Sequence, residues 1–154
     1  MDPTVFQYEL PYLHPVVVHA PIALLIAAAG TAAGYAFVGR RAWRLSTLAL
    51  LTAGAIGAWL AHETGEILKD AVEGDPQVEA LVDTHEGAAG WAWRASMIGA
   101  MAFAGASIWL RHRPPTGRDP LALRLALLVP AVAAALLVAY TGHVGGLMVW
   151  GVPK

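Results

Sequence analysis

The stretch LALRLALLVPAVAAALLVAYTGHVGGLMVW, residues 121–150, decides the fold that this sequence predicts. Arg124 is its only lysine, arginine, aspartate or glutamate. About 20 consecutive apolar residues of helix are enough to cross a lipid bilayer. The stretch therefore predicts a transmembrane helix, which we expect either to tilt or to end in irregular structure near Gly142, Gly145 and Gly146.

Three more stretches share this apolar character, at residues 15–38, 42–66 and 85–110. The chain is 57% hydrophobic and 14% charged, whereas soluble domains carry about 25% charged residues. A chain of 154 residues cannot hide that apolar excess in one core. The sequence therefore predicts an all-α membrane protein, a four-transmembrane-helix up-down bundle that forms a single domain over residues 1–154. Residues 67–84 are predicted to form a loop with a possible short helix, broken at Gly74-Asp75-Pro76.

The charged residues predict the orientation of the bundle. Arginine-rich links join the first span to the second and the third to the fourth, and short links of this kind stay in the cytoplasm. We therefore expect the N and C termini on the non-cytoplasmic side of a bacterial inner membrane, with residues 67–84 in the periplasm. The residues of the arginine-rich links are Arg40, Arg41, Arg44, Arg111, Arg113 and Arg118, followed by Arg124. Those of the acidic side are Glu63, Glu66, Asp70, Glu73, Asp75, Glu79, Asp83 and Glu86, against Lys69.

Five of the six histidines fall at the outer ends of the predicted spans, and only His112 lies among the cytoplasmic arginines. Ionisable groups within a membrane are costly and usually mark a functional site. Neutral imidazole is a common ligand of haem iron and of transition metals. The sequence therefore predicts a cofactor site facing the periplasm. Its candidate residues are His14, His19, His62, His85 and His143.

A b-type haem is the favoured cofactor, because it needs two imidazoles on facing helices. The chain has no cysteine, which excludes thiolate metal sites and covalent haem attachment. His19 with His85, or His62 with His143, would be diagonal pairs in an up-down bundle, and the choice between them stays open. His14 is predicted at a helix cap facing outward, because Pro15 suits the first turn of a helix.

Arg94 is the candidate partner for the haem propionates. Its alternative role is an ion pair with Glu63, Glu66 or Glu86. We expect one haem per chain, and a second if the protein dimerises.

Two other functions stay open. His62-Glu63 with Glu66, and His85-Glu86, offer nitrogen and oxygen donors for a transition metal ion used in metal handling. The chain could also be a structural or assembly subunit of a larger complex, without cofactor, in a homo- or hetero-oligomer. Neither a hydrolase motif nor a nucleotide-binding or nucleic-acid-binding pattern occurs. A subunit is therefore favoured over a stand-alone enzyme.

Three motifs resemble one known family. They are LHPVVVHAPI at residues 13–22, DTHE at residues 83–86 and TGHVGG at residues 141–146. Together they are similar to the bacterial membrane family catalogued as domain of unknown function 2231. His14, His19, His85 and His143 match the family pattern, and His62 matches it less clearly.

The resemblance implies a redox setting, since several relatives occur with c-type cytochrome modules. A cytochrome-b-like subunit would pass electrons between a periplasmic cytochrome c, or another redox subunit, and a membrane partner or quinone. The acidic outer loop would attract a basic partner through complementary charge.

Overall fold

Every regular element of the computed structural model, which describes residues 13–72, 76–114 and 117–151, is a helix. The predicted all-α class is therefore confirmed for this part of the chain. The first two helices are nearly continuous and separate at Val18, because Pro21 has no N–H with which to bond the carbonyl of Val17. The helices are α1 His14–Val17, α2 His19–Val38, α3 Arg41–Val72, α4 Pro76–Trp109 and α5 Leu121–Trp150.

Within the described residues, three helical stretches are long and apolar enough to cross a membrane. They are His14–Val38, Arg41–Asp70 and Leu121–Trp150. Helix α4 carries Asp83, Glu86 and Arg94 and is not among them. Length and composition thus support three of the four predicted spans.

The prediction of a loop over residues 67–84 is wrong. Helix α3 continues to Val72 and helix α4 begins at Pro76, which suits the first turn of a helix. The ends of the two helices are joined by Lys69, whose Nζ lies 2.5 Å from Oε2 of Glu86. Gly74 and Asp75, where a break is predicted, lie outside the described residues.

The end of helix α5 also differs from the prediction. The helix runs to Trp150 without irregular structure at Gly142, Gly145 or Gly146. These glycines are helical, so their effect is on packing against neighbouring helices rather than on the course of the backbone.

The four long helices pack side by side in cyclic order, with α2 and α4 each between α3 and α5. Their inner faces are rich in alanine, which lets membrane helices approach closely. Larger side chains fill the middle of the core, among them Leu25, Leu51, Phe103 and Leu127.

The two halves of the chain form matching hairpins, α1 and α2 with α3, and α4 with α5. In each pair of equivalent helices, one constant difference in residue number relates most buried positions of the first hairpin to buried positions of the second. A two-fold relation that exchanges α2 with α4 and α3 with α5 would account for this match. Equivalent buried pairs in the first helices are Leu25 and Ser96, Ala32 and Phe103, and Tyr35 and Ala106. Those in the second helices are Arg44 and Arg124, Leu51 and Ala131, and Ala58 and Val138.

Arg44, which the sequence placed in a cytoplasmic link, is buried at the end of the bundle opposite His14. Its guanidinium pairs with the buried carboxylate of Asp119, and its Nε donates to Ser107 Oγ at 3.2 Å. Tyr35 donates its hydroxyl to the same carboxylate at 2.8 Å. This inner polar cluster ties α2, α3, α4 and the link before α5 together.

Arg124 is buried beside the inner polar cluster and closes the end of helix α2. Its Nη1 donates to the carbonyl of Ala36 at 2.7 Å, where a cation is favoured by the helix dipole. Gly39 ends that helix with a φ of 70°, and a side chain there would meet Arg124 at 2.8 Å. Gly39 is therefore required both by its backbone conformation and by the nearby guanidinium.

Asp119→Ala is expected to lower the free energy of unfolding by about 3–5 kcal/mol, because it leaves the Arg44 guanidinium buried without its partner. The measurement is thermal or denaturant unfolding in detergent. Arg118→Ala removes a charge from the neighbouring, exposed position and serves as the control. Equal stability of the two variants would contradict the assigned role of the ion pair.

Candidate histidine site

A cavity of about 520 Å³ lies at the end of the bundle opposite the inner polar cluster. Four histidines line it: His14, His19, His62 and His85. Small residues from helices α3, α4 and α5 form much of the remaining wall, among them Ala58, Ala61, Ala89, Ala92, Gly142 and Gly146. An apolar cavity with a few convergent polar groups is the usual form of a ligand site.

His14 is oriented by the backbone of the neighbouring helix α3. Its Nδ1 donates to the carbonyl oxygen of Ala61 at 2.9 Å and lies 3.2 Å from Thr64 Oγ1. A neutral imidazole that donates through Nδ1 carries its lone pair on Nε2. The ring lies over Gly65, where an added Cβ would come within 3.1 Å of His14 Cε1.

His85 is held in the same way by helix α5. Its Nδ1 donates to the carbonyl oxygen of Thr141 at 2.9 Å. An added Cβ at Gly145 would come within 3.2 Å of His85 Cε1. In each hairpin, therefore, a backbone carbonyl of the second helix accepts a hydrogen bond from the imidazole. A glycine one helical turn later in that helix packs against the same ring.

The two oriented imidazoles lie next to each other at the wall of the cavity. Their ring centroids are 6.1 Å apart and their planes are inclined at 80°. Metal-binding histidines usually donate their second ring nitrogen to a backbone carbonyl or carboxylate, which fixes the tautomer. The Nδ1 bonds of His14 and His85 are of this kind.

The structure corrects the predicted position of His14. The residue does not face outward, because its bond to the Ala61 carbonyl holds the ring against helix α3. His85 thus lies beside His14, a pairing that was not among those predicted from the sequence. His19 lines the cavity from an exposed position and His62 from a half-buried one.

Two predicted site residues lie elsewhere. His143 is exposed and does not line the cavity. Arg94 is also exposed and outside the cavity wall, with its guanidinium 5.5 Å from the Trp91 ring centroid and 5.9 Å from that of Trp93. This is the distance range of cation–π contact.

No group of three or more histidine, cysteine, aspartate or glutamate side chains could hold a metal ion within the described part of the chain. His62 with Glu63 and Glu66, and His85 with Glu86, therefore do not form the compact donor set that the sequence allowed. The site offers a pair of neighbouring imidazoles.

Residues 11–152 match the model of one protein family, described as predicted membrane protein (DUF2231). The chain belongs to this family. The resemblance inferred from the sequence motifs is thus confirmed. No curated protein and no solved structure matches this DUF2231 chain significantly.

Gly65, Gly145 and Lys69 of this DUF2231 protein belong to the cavity but were not predicted from the sequence. The match between the two hairpins, which we call the internal repeat, is the sequence feature that identifies the glycines. Ala61 and Gly65 of the first hairpin correspond to Thr141 and Gly145 of the second, at the same spacing. A search for self-similarity along the chain can therefore find the elements that orient both imidazoles.

Gly145→Ala is expected to lower the stability of the protein by about 1–3 kcal/mol, because the new methyl group presses on a ring that Thr141 holds in place. Gly146→Ala is the matched control, because a Cβ there meets no atom within 4 Å. Thermal unfolding in detergent measures both variants. A Gly145→Ala protein as stable as the control would contradict the close contact with His85.

Proposed function

We propose that the protein is a haem-b-binding membrane subunit that transfers electrons on the periplasmic side of a bacterial inner membrane. The observation that carries the proposal is the neighbouring pair of His14 and His85, both oriented through Nδ1. Bound between them, a haem would supply a one-electron redox couple.

The closeness of the two imidazoles supports one shared ligand. The ring centroids of His14 and His85 are 6.1 Å apart, so both residues would hold the iron of one haem. Two side-chain donors are sufficient for haem, because the macrocycle supplies the equatorial ligands.

The wall of the cavity also fits a haem. Its volume of about 520 Å³ lies within the usual range of cofactor sites, about 300–1,000 Å³. Alanine and glycine would leave room for a flat ring between the helices. His19 and His62 would line the same cavity without ligating the iron.

All four long helices cross the membrane in this proposal. Helix α4 packs between α3 and α5, both of which are apolar enough to span a bilayer, so it would share their environment. The exposed arginines of the two links then lie on the cytoplasmic side, and the histidine cavity and both chain termini lie on the periplasmic side. These arginines are Arg40, Arg41, Arg111, Arg113 and Arg118.

The acidic residues near the cavity suggest a partner for electron transfer. Glu63, Glu66, Asp70 and Asp83 are exposed at the periplasmic end of this arrangement. They would attract a basic periplasmic redox protein such as a cytochrome c, and salt would slow that encounter.

The protein purified in detergent from cells supplied with haem is expected to show a Soret band and sharp reduced α and β bands, with one haem per chain. His14→Ala and His85→Ala should each lower the haem content at least tenfold, because each removes an axial ligand. A pyridine haemochrome assay measures the content. His143→Ala is the control, since His143 is exposed and outside the cavity.

The spectrum also separates the alternatives. A well-folded protein without a Soret band is not a haem protein. Elemental analysis then distinguishes a transition-metal site from a structural subunit without cofactor.

Labelling of single cysteines tests the orientation, because the natural chain has no cysteine. Asp70→Cys should react with a membrane-impermeant maleimide in intact spheroplasts, because it lies at the periplasmic end. His112→Cys should react only after the membrane is permeabilised. Both positions are exposed in the structure. Labelling of both in intact spheroplasts, or of His112→Cys alone, would refute the proposed topology.

A further inference from the structure

The residues that line the histidine cavity occupy equivalent positions in the two hairpins but differ in charge. The internal repeat relates His14 to His85 and Gly65 to Gly145, and all four residues line the cavity. The same relation pairs three charged lining residues with three uncharged ones. These pairs are Glu66 with Gly146, Lys69 with Val149, and Glu86 with Pro15.

The charged members of these pairs all lie on one side of the cavity, between helices α3 and α4. The uncharged members lie on the opposite side, between α5 and α1, where Trp150 and Met148 extend the apolar wall. A ligand that fills this cavity therefore meets a polar edge on one side and an apolar edge on the other.

Lys69 is the only lysine or arginine among the lining residues that the structure describes. Its Nζ lies 2.5 Å from Oε2 of Glu86 and 4.0 Å from Oδ1 of Asp83. About two fifths of the Lys69 side chain is exposed. An ion pair as exposed as this contributes little to folding, so its lysine is free to exchange one carboxylate partner for another.

We propose that Lys69 binds a carboxylate on the polar edge of an amphipathic ligand whose apolar edge lies against α5 and α1. The inference rests on the proposed function, because haem b has this shape, with both propionates on one edge. It replaces Arg94, which lies outside the cavity wall, as the partner of the propionates. Glu86 then competes with the ligand for Lys69.

The test compares haem b with its dimethyl ester, which keeps the iron and the ring but lacks both carboxylates. Detergent-purified apo-protein is titrated with each compound, and binding is followed by the absorbance of the haem. Wild-type protein is expected to bind haem b more tightly than the ester. Lys69→Met should weaken binding of haem b about fivefold, the upper range for a partly exposed ion pair. It should leave binding of the ester unchanged.

The opposite effect on haem binding is expected of a second variant. Glu86→Gln removes the competing carboxylate and should tighten binding of haem b without affecting the ester. Glu63→Gln is its control, because Glu63 is an exposed carboxylate outside the cavity wall.

The possible outcomes separate this inference from the function on which it rests. The wild-type protein could bind both compounds with equal affinity and show the absorption spectrum of a haem held by two histidines. This result overturns the role of Lys69 but keeps the haem site. Equal weakening of both compounds by Lys69→Met also overturns it, because the effect is then structural. Failure of wild-type protein to bind either compound overturns the proposed function and the inference together.

Discussion

Close contact between helices through small side chains is the constraint on which the rest of this structure depends. Helices in lipid gain no hydrophobic driving force from packing on one another, so van der Waals contact and polar bonds must hold them together. Alanine on the inner faces allows that contact, as at Ala28, Ala32, Ala131 and Ala134. The same short distances let the imidazoles of one helix reach backbone carbonyls of the next. A larger residue at Gly65 or Gly145 would separate these groups.

The two ends of the bundle are held by different interactions. At one end, the buried Arg44–Asp119 pair and the Tyr35 hydroxyl join the helices through charge. At the other end, the helices leave a cavity, and neighbouring helices are joined there by the hydrogen bonds of His14 and His85 and by the partly exposed Lys69–Glu86 pair. The apolar side chains in the middle of the core separate the two ends. The rigid end thus fixes the helices, while the other end retains the space that a ligand needs.

The sequence predicted the helices well because long apolar runs depend on local composition, and it placed the histidines at one end because helix direction alternates. It did not predict the neighbouring pair of His14 and His85. The depth of a residue along a helix does not give the direction in which its side chain points around the helix axis. For His14 that direction is held by the Ala61 carbonyl, a contact 47 positions away in the chain. Arg44 illustrates the same limit, since an arginine near a link can be an exposed anchor or a buried partner. The loop predicted over residues 67–84 is wrong because the helix-forming residues before Gly74 continue α3 beyond its apolar part.

The matching hairpins have a consequence for how such a cavity can be built. Two copies of one hairpin, assembled as a homodimer, would present identical residues on both sides of the two-fold axis. Any lysine at the cavity would then appear twice, and so would the carboxylate opposite it. Joining the hairpins in a single chain removes that restriction, so Lys69 can stand opposite Val149 while the two imidazoles remain equivalent. Because the two halves belong to one chain, equivalent positions of the cavity wall can carry different residues.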